Sequence, residues 1–372
     1  MSLNQSGLPD EPSAAMELEE EQIPDYPGVH EESAPPASLS NRLRDPRTIV
    51  SIILPIFIIV LLLAALPGFH LEQLPTLIAA ANPWLLLAAF VVYYLGFTLR
   101  GYRWALLLRG AGTRVSVRDS TEIIFISWLV NCLVPAKLCD VYRAYLLRLN
   151  YPVSLSNTFC TVFIERVFDL FAIVLLGLAA GFWSFRGNMS PEVQIVFGIG
   201  LVVIVGLAGG LFLVRNFGGR FIRSLPLPGK MVEFYDRFEE GVFSIKARQI
   251  PLLAFITVLI WATEAGRLYL VVLALGFDLH LGISGGFFVA LIASLLTAIP
   301  FTPAGLGAVE GDLVFILTTL YGATATQAVA ITLVDRAISV LSVIIFGSIA
   351  YVLSDKTKGP RPSPQPLETQ AG

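Results

Sequence analysis

Residues 291–312 read LIASLLTAIPFTPAGLGAVEGD. An apolar helical run stops at Pro300 and Pro303, turns through Ala304-Gly305-Leu306-Gly307, and restarts with Glu310 and Asp312 in the first turns of a new helix. Proline removes a backbone donor and breaks a helix, and glycine permits a tight reversal. The apolar run before the break is shorter than the roughly 20 residues that cross a bilayer. The reading is a re-entrant hairpin over about 283–322. Irregular backbone at membrane depth must be buried in protein or line a wet cavity.

The same pattern occurs upstream. Residues 121–134, TEIIFISWLVNCLV, stop at Pro135, and a second helical piece follows with Lys137, Asp140, Tyr142 and Arg143. This is a hairpin over about 119–149. Downstream of the first hairpin a helix carries Glu165-Arg166, and downstream of the second another carries Asp335-Arg336. The separation from Pro135 to Arg166 nearly equals that from Pro303 to Arg336, so order and spacing point to an internal duplication.

Around the hairpins, six segments are long and apolar enough to cross: about 49–67, 83–100, 155–183, 193–215, 251–276 and 324–353. Composition agrees. Apolar residues make up 55% of the 372 residues and charged residues 14%, against roughly 25% charged in a soluble domain. The segments expected to be cytoplasmic are basic: Arg42, Arg44 and Arg47; Arg100 to Arg118; Arg143 and Arg148; Arg215 to Arg248; Lys356 to Arg361. The segments 68–82 and 277–323 have no Lys or Arg, and 184–192 has only Arg186. The positive-inside rule then places both termini inside. Three crossings lie between the hairpins, so the repeats have opposite topology, a symmetry associated with secondary transporters.

The expected fold class is an all-α polytopic membrane protein with six transmembrane helices plus two re-entrant hairpins arranged as inverted repeats. Residues 1–48 are expected to be a disordered acidic cytoplasmic tail, since 1–41 hold nine Asp or Glu and no Lys or Arg. The membrane domain spans 49–353, with 354–372 as a disordered cytoplasmic tail. Segment 217–248 interleaves Phe with Arg, Lys and Glu, an interfacial amphipathic pattern. The expected location is the plasma (inner) membrane, multi-pass.

Ionisable groups inside a bilayer cost about 2.5–3.5 kcal/mol each on insertion scales. Glu165, Arg166, Asp169, Glu264, Arg267, Glu310, Asp312, Asp335 and Arg336 fall there. Glu165 and Asp169 share a helix face, and Arg166 is placed to reach Asp169 along the helix. Glu264 and Arg267, three apart, read as a mutually neutralising pair. The substrate-binding candidates are Lys137, Asp140, Arg143, Glu165, Arg166, Asp169, Glu310, Asp335 and Arg336, lining one polar cavity. Lys137 and Arg143 would take a phosphate, and Glu310 a cationic or hydroxylated headgroup.

Other chemistries are excluded or weak. A net charge of −3 argues against a nucleic-acid partner. Three cysteines with no CxxC and three isolated histidines offer no zinc site of the usual spacing and no disulfide framework. No cofactor is expected. Gly305 to Gly311 misses GxGxxG by one residue, and there is no Walker A lysine motif and no GxSxG elbow. Gly177/Gly181, Gly206/Gly210 and Gly282/Gly286 match GxxxG and read as helix-packing contacts.

Arg103-Trp104 with Leu107, Asn131 to Pro135, Asp140 to Arg143 with Leu147, Glu165-Arg166 with Asp169, and Pro303 to Gly307 with Glu310 together resemble the lysylphosphatidylglycerol synthase transmembrane family over about 49–353. The resemblance implies a flippase-like domain that moves aminoacylated or glycosylated lipids between leaflets. The soluble aminoacyl-transfer domain of the long members has no counterpart in 354–372, so a synthase activity is not implied. Some relatives are linked to glycosyl transfer, which keeps a second class open: a membrane-embedded glycosyltransferase with Glu310 or Asp312 as base. Transport is favoured over catalysis. The expected partner is a membrane lipid or lipid-linked substrate, with room for a homo-oligomer and a separate lipid-modifying enzyme.

Overall fold

A computed structural model of the chain describes residues 68–134, 138–153, 155–187, 189–224, 228–229, 232, 236, 247–296 and 303–358. The N-terminal tail before 49, the expected first span at 49–67, most of the interfacial segment 217–248 and the C-terminal residues from 359 lie outside the described residues; 354–358, expected to open the disordered tail, are described and include the helical turn Asp355–Thr357. The described residues are helical, with no strand among them. The principal helices are α1 (Pro83–Gly110), α2 (Val117–Leu133), α3 (Leu138–Asn150), α4 (Leu155–Phe185), α5 (Pro191–Leu213), α6 (Ile250–Leu275), α7 (Gly282–Leu296), α8 (Ala308–Tyr321), α9 (Ala325–Arg336) and α10 (Ser342–Leu353). A π-helical turn, Ala337–Leu341, joins the last two.

Among the described residues, four helical stretches are long and apolar enough to cross a membrane: Pro83–Gly110, Val193–Ser224, Ile250–Leu275 and Ala325–Leu353. α4 is 31 residues long and carries Glu165, Arg166 and Asp169 within it. The helix expected to end at 100 runs on to Gly110. Its start is set by Asn82, whose side chain accepts from the Trp84 and Leu85 backbone N–H groups at 3.0 and 3.4 Å, with Pro83 in the first turn. Ser116 caps α2, and Thr324 with Gln327 forms a reciprocal cap on α9.

Both expected breaks are present. α2 ends where Val134 turns extended (φ −127°, ψ 132°), and α3 begins at Leu138. Pro135 and Lys137 lie outside the described residues. α7 ends at Leu296, and a short turn over Pro303–Gly305 leads into α8. Gly305 and Gly307 take φ of 73° and 90°, and Ala304 takes φ 50°, the one positive-φ non-glycine among the described residues. A left-handed alanine costs roughly 1–2 kcal/mol, and such strain concentrates at functional sites.

The duplication is visible in the element order. α3 and α8 start at Leu138 and Ala308, α4 and α9 at Leu155 and Ala325, and the shift along the chain is the same for both pairs. The packing is exchanged between the halves: α4 lies on α7, α10 lies on α2, and α1 and α6 pack along each other at the centre. Gly177 of α4 meets Leu291 of α7, and Gly347 of α10, related to Gly177 by the same shift, meets Leu129 of α2. Where water does not drive helix association, close packing at small residues does. Of the glycine pairs read as packing contacts, Gly177, Gly181 and Gly286 meet neighbouring side chains; Gly206, Gly210 and Gly282 face open space.

Candidate functional site

A cavity of about 130 Å³ lies at the centre, between the two halves. Its lining includes Arg100 of α1, Arg166 of α4, Glu264 and Arg267 of α6, and Asp335 and Arg336 of α9, with Trp128, Trp261 and Ala304 beside them. Four arginines and two carboxylates therefore converge where the broken helices approach each other.

The charges form a chain. Arg100 Nη2 donates to Glu264 Oε1 at 2.7 Å, and Arg267 Nη2 to Glu264 Oε2 at 3.3 Å. Arg267 Nη1 also pairs with the Asp335 carboxylate and donates to the Asp335 carbonyl at 3.2 Å. The Glu264–Arg267 pair read from the sequence thus exists, but each member has a second partner on another helix. Arg100 lies 5.0 Å from the Trp128 ring and Arg267 5.2 Å from the Tyr93 ring, favourable positions for a cation on an aromatic face. Arg100 Nη1 and Arg267 Nε are buried and have no hydrogen-bond partner among the described residues.

Two further pairs flank the cavity and occupy matching positions. Arg166 holds Asp140 bidentately, Nη2–Oδ1 2.6 Å and Nε–Oδ2 3.2 Å. Arg336 Nε is 2.6 Å from Glu310 Oε1. Asp140 and Glu310 are related by the shift that relates α3 to α8, and so are Arg166 and Arg336. Each pair ties the helix that starts after a break, α3 or α8, to the helix that follows it. Their exposure differs: the side chains of Arg166 and Asp140 are 40% and 20% exposed, those of Arg336 and Glu310 15% and 12%. Glu310 also accepts from the Gly307 backbone N–H at 2.6 Å, capping its own helix, and Arg336 Nη2 donates to the Ala304 carbonyl at 3.4 Å.

The remaining candidates are elsewhere. Glu165, Asp169 and Arg143 form a separate buried cluster around Arg103. Arg103 grips Asp169 with both terminal nitrogens at 2.7 and 3.1 Å and lies 3.5 Å from Glu165, which Arg143 reaches at 2.6 Å. Thr257 accepts from Arg103, and Trp261 donates to Asp169. Arg143 stacks on Trp104 at 3.7 Å. Two cations and two carboxylates cancel here, and none of the four lines the cavity.

The single cavity expected to hold nine residues is therefore divided. Arg166, Asp335 and Arg336 line it; Asp140 and Glu310 bind its arginines; Arg143, Glu165 and Asp169 belong to the separate cluster; Lys137 lies outside the described residues. Arg166 turns to Asp140 rather than along its own helix to Asp169, because Arg103 already fills that carboxylate. Arg100 and Arg103, counted in the sequence as cytoplasmic basic residues, are 7% and 3% exposed inside α1. The signal for them was the unbroken helical run to Gly110, in which the two arginines lie one turn apart. Among the described residues, no group of three or more His, Cys, Asp or Glu could hold a metal ion.

The lysylphosphatidylglycerol synthase TM region family matches residues 50–347. A UPF0104 membrane protein of Methanocaldococcus jannaschii is 37% identical over 229 residues, 61% of this chain and 94% of its own length. A UPF0104 membrane protein of Methanothermobacter thermautotrophicus is 26% identical over 296 residues, 73% of this chain and 85% of its own. The protein named glycosyltransferase AglD of Haloferax volcanii is 28% identical over 320 residues, 76% of this chain but 51% of its own length. With apolar helices long enough to cross a membrane, a duplicated broken-helix architecture and a family match over most of its length, the chain is a membrane protein that belongs to the lysylphosphatidylglycerol synthase transmembrane-region family.

Proposed function

We propose that the protein translocates a polar-headgroup lipid or glycolipid between membrane leaflets through the central cavity. The observation that carries this reading is the convergence of Arg100, Arg166, Arg267 and Arg336, with Glu264 and Asp335, on one cavity between two repeated halves. A headgroup cannot cross hydrocarbon without losing its hydrogen bonds to water. A chain of paired charges offers replacements: arginine N–H groups for phosphate or hydroxyl oxygens, carboxylates for an ammonium or hydroxyl. The acyl chains stay in the bilayer while the polar end moves past the ion pairs.

In this reading the two broken hairpins enter from opposite faces, as the Lys/Arg asymmetry of the sequence argues. The halves then rock about a shared site, as in transporters built from inverted repeats. The chain resides in the plasma membrane with both termini cytoplasmic.

A second reading is favoured by one observation, the glycosyltransferase name carried by the Haloferax volcanii relative. This chain spans about half of that relative's length. Under that reading Glu310 or Asp312 would serve as base for transfer from a lipid-linked sugar.

Reconstitution of the purified chain into liposomes carrying labelled candidate lipids, without any sugar donor, separates the two. Leaflet exchange above that of protein-free vesicles supports translocation. Sugar transfer only when a lipid-linked donor is added, with no exchange in its absence, supports the transferase.

A further inference from the structure

At one end of the bundle, the helical turn Asp355–Thr357 lies against the base of the first hairpin. Lys356 Nζ is 3.3 Å from Asp119 Oδ1, and Tyr151 O–H donates to Asp119 Oδ2 at 2.5 Å. Asn150 Nδ2 donates to the Lys356 carbonyl at 2.9 Å, and Lys356 lies 5.4 Å from the Tyr151 ring. The buried Ser354 hydroxyl donates to Glu122. The contacts of Ser354 and Lys356 join the end of the second repeat to the hairpin of the first.

The corresponding junction at the other repeat has different chemistry. The Ser184 and Tyr321 hydroxyls are 3.2 Å apart, and the Phe185 and Tyr321 ring centroids 5.8 Å apart. Ser184 maps onto Ser354 and Tyr151 onto Tyr321 by the same shift that carries Arg166 onto Arg336. One junction therefore occurs twice, with serine, tyrosine and a cation kept: Arg186 stands where Lys356 does but lies over the Trp183 ring, and the carboxylate partners Asp119 and Glu122 are present in one copy.

We propose that the Asp119–Tyr151–Lys356 cluster is a clasp that holds its end of the molecule shut at rest, while the neutral Ser184–Tyr321 junction is the first to open. Charge-assisted bonds are roughly twice as strong as neutral ones, and the clasp sets several polar contacts against one hydroxyl pair and a ring contact. The two ends then release in a fixed order, ionic end last. The inference rests on the transport reading, in which the repeats move against each other. The Asp119 carboxyl suits the role: burial works against its ionisation, but bonds from Tyr151, Ser116 and Lys356 outweigh burial and hold it below the usual carboxylate range.

Electron–electron distance measurements on the full chain in lipid nanodiscs test this. The native cysteines are buried and stay unlabelled, so spin labels go on Arg148→Cys with Leu353→Cys at the clasp end, and on Arg186→Cys with Thr319→Cys at the other. The clasp-end distance is expected to be narrow, and the opposite end to show a second, longer component. Lys356→Ala with Tyr151→Phe should raise the longer component at the clasp end roughly fivefold or more and leave the other end unchanged. Raising salt from about 0.1 to 1 M, which shortens the screening length from about 10 to 3 Å, should act in the same direction on the clasp end alone. An unchanged clasp-end distance in the variant, or equal loosening at both ends, overturns the proposal. Clasp-specific opening in a protein that exchanges no lipid in liposomes keeps the clasp and removes the transport reading.

Discussion

Two buried ion networks meet on neighbouring turns of α1 and have opposite designs. Around Arg103, two cations and two carboxylates close on each other, with Thr257, Trp261 and Trp104 completing the shell. Around Arg100, the ions form an open chain along a cavity, and two arginine nitrogens are left without partners among the described residues. Both networks leave buried arginine nitrogens without hydrogen-bond partners among the described residues, Arg103 Nε, Arg143 Nε and Arg143 Nη2 in the first, so what differs is access: only the ions around Arg100 line the cavity. A closed cluster fixes the helices. A chain of ions along a cavity leaves charged groups within reach of something that enters it.

The largest expected effect breaks the closed cluster. Arg103→Ala strands Asp169 and half of Glu165 in the interior, and removing one partner of a buried pair costs about 3–5 kcal/mol. The variant should fail to accumulate in membranes, read by expression level and by thermal unfolding in detergent. Arg166→Ala, at a pair whose arginine is 40% exposed, should cost no more than about 1 kcal/mol. A collapse of the Arg166 variant alone would reverse the assignment of the two networks.

Glu310→Gln probes the open chain. The shape and the cap on Gly307 are kept while the charge opposite Arg336 is lost. Folding should be retained and lipid exchange should fall about tenfold, the equivalent of roughly 1.4 kcal/mol. Stability lost with exchange intact would make this pair structural, like the cluster around Arg103.

Smaller effects sharpen the contrast. Ala304→Gly removes a left-handed alanine at the cavity wall; relief of strain less the added chain entropy should raise stability by at most about 1 kcal/mol, measured by thermal unfolding. The smallest effect concerns pH. The Asp119 carboxyl is depressed on folding, so its contribution is present above its unfolded value and is lost only as pH falls through the lower folded value. Lowering the pH from neutral to mildly acidic, still above the ordinary range of a carboxylate, should leave the clasp-end spin distances unchanged. A release there would mean that the bonds to Asp119 are too weak to hold the clasp.

Much of the architecture was legible in the sequence because it follows from backbone chemistry. Proline marks both helix breaks and glycine the second, and Glu264 and Arg267 pair because they lie three apart on one helix. The division of the site was not legible. Arg100 and Arg103 follow a long apolar run and so count as cytoplasmic charges by the positive-inside rule; only packing against α6 and α4 shows them buried. The choice of Asp140 over Asp169 by Arg166 depends on a third residue, Arg103, distant in sequence. The repeat register was half visible. The loop between α7 and α8 is longer than that between α2 and α3, so the shift from Leu129 to Leu291, before the break, is smaller than the shift from Leu138 to Ala308, after it. A single offset cannot align both legs, which hides the match of Tyr151 with Tyr321 and of Ser184 with Ser354 in the sequence alone.

The most direct test of the central claim compares Arg100→Gln with wild type in liposome lipid exchange, per folded molecule and without sugar donor. Glutamine is too short to reach Glu264, but Glu264 keeps Arg267, so the variant should fold. If the open chain conducts headgroups, exchange should fall at least roughly tenfold with unfolding temperature near that of wild type. Exchange at the wild-type rate in the folded Arg100→Gln protein would contradict the account.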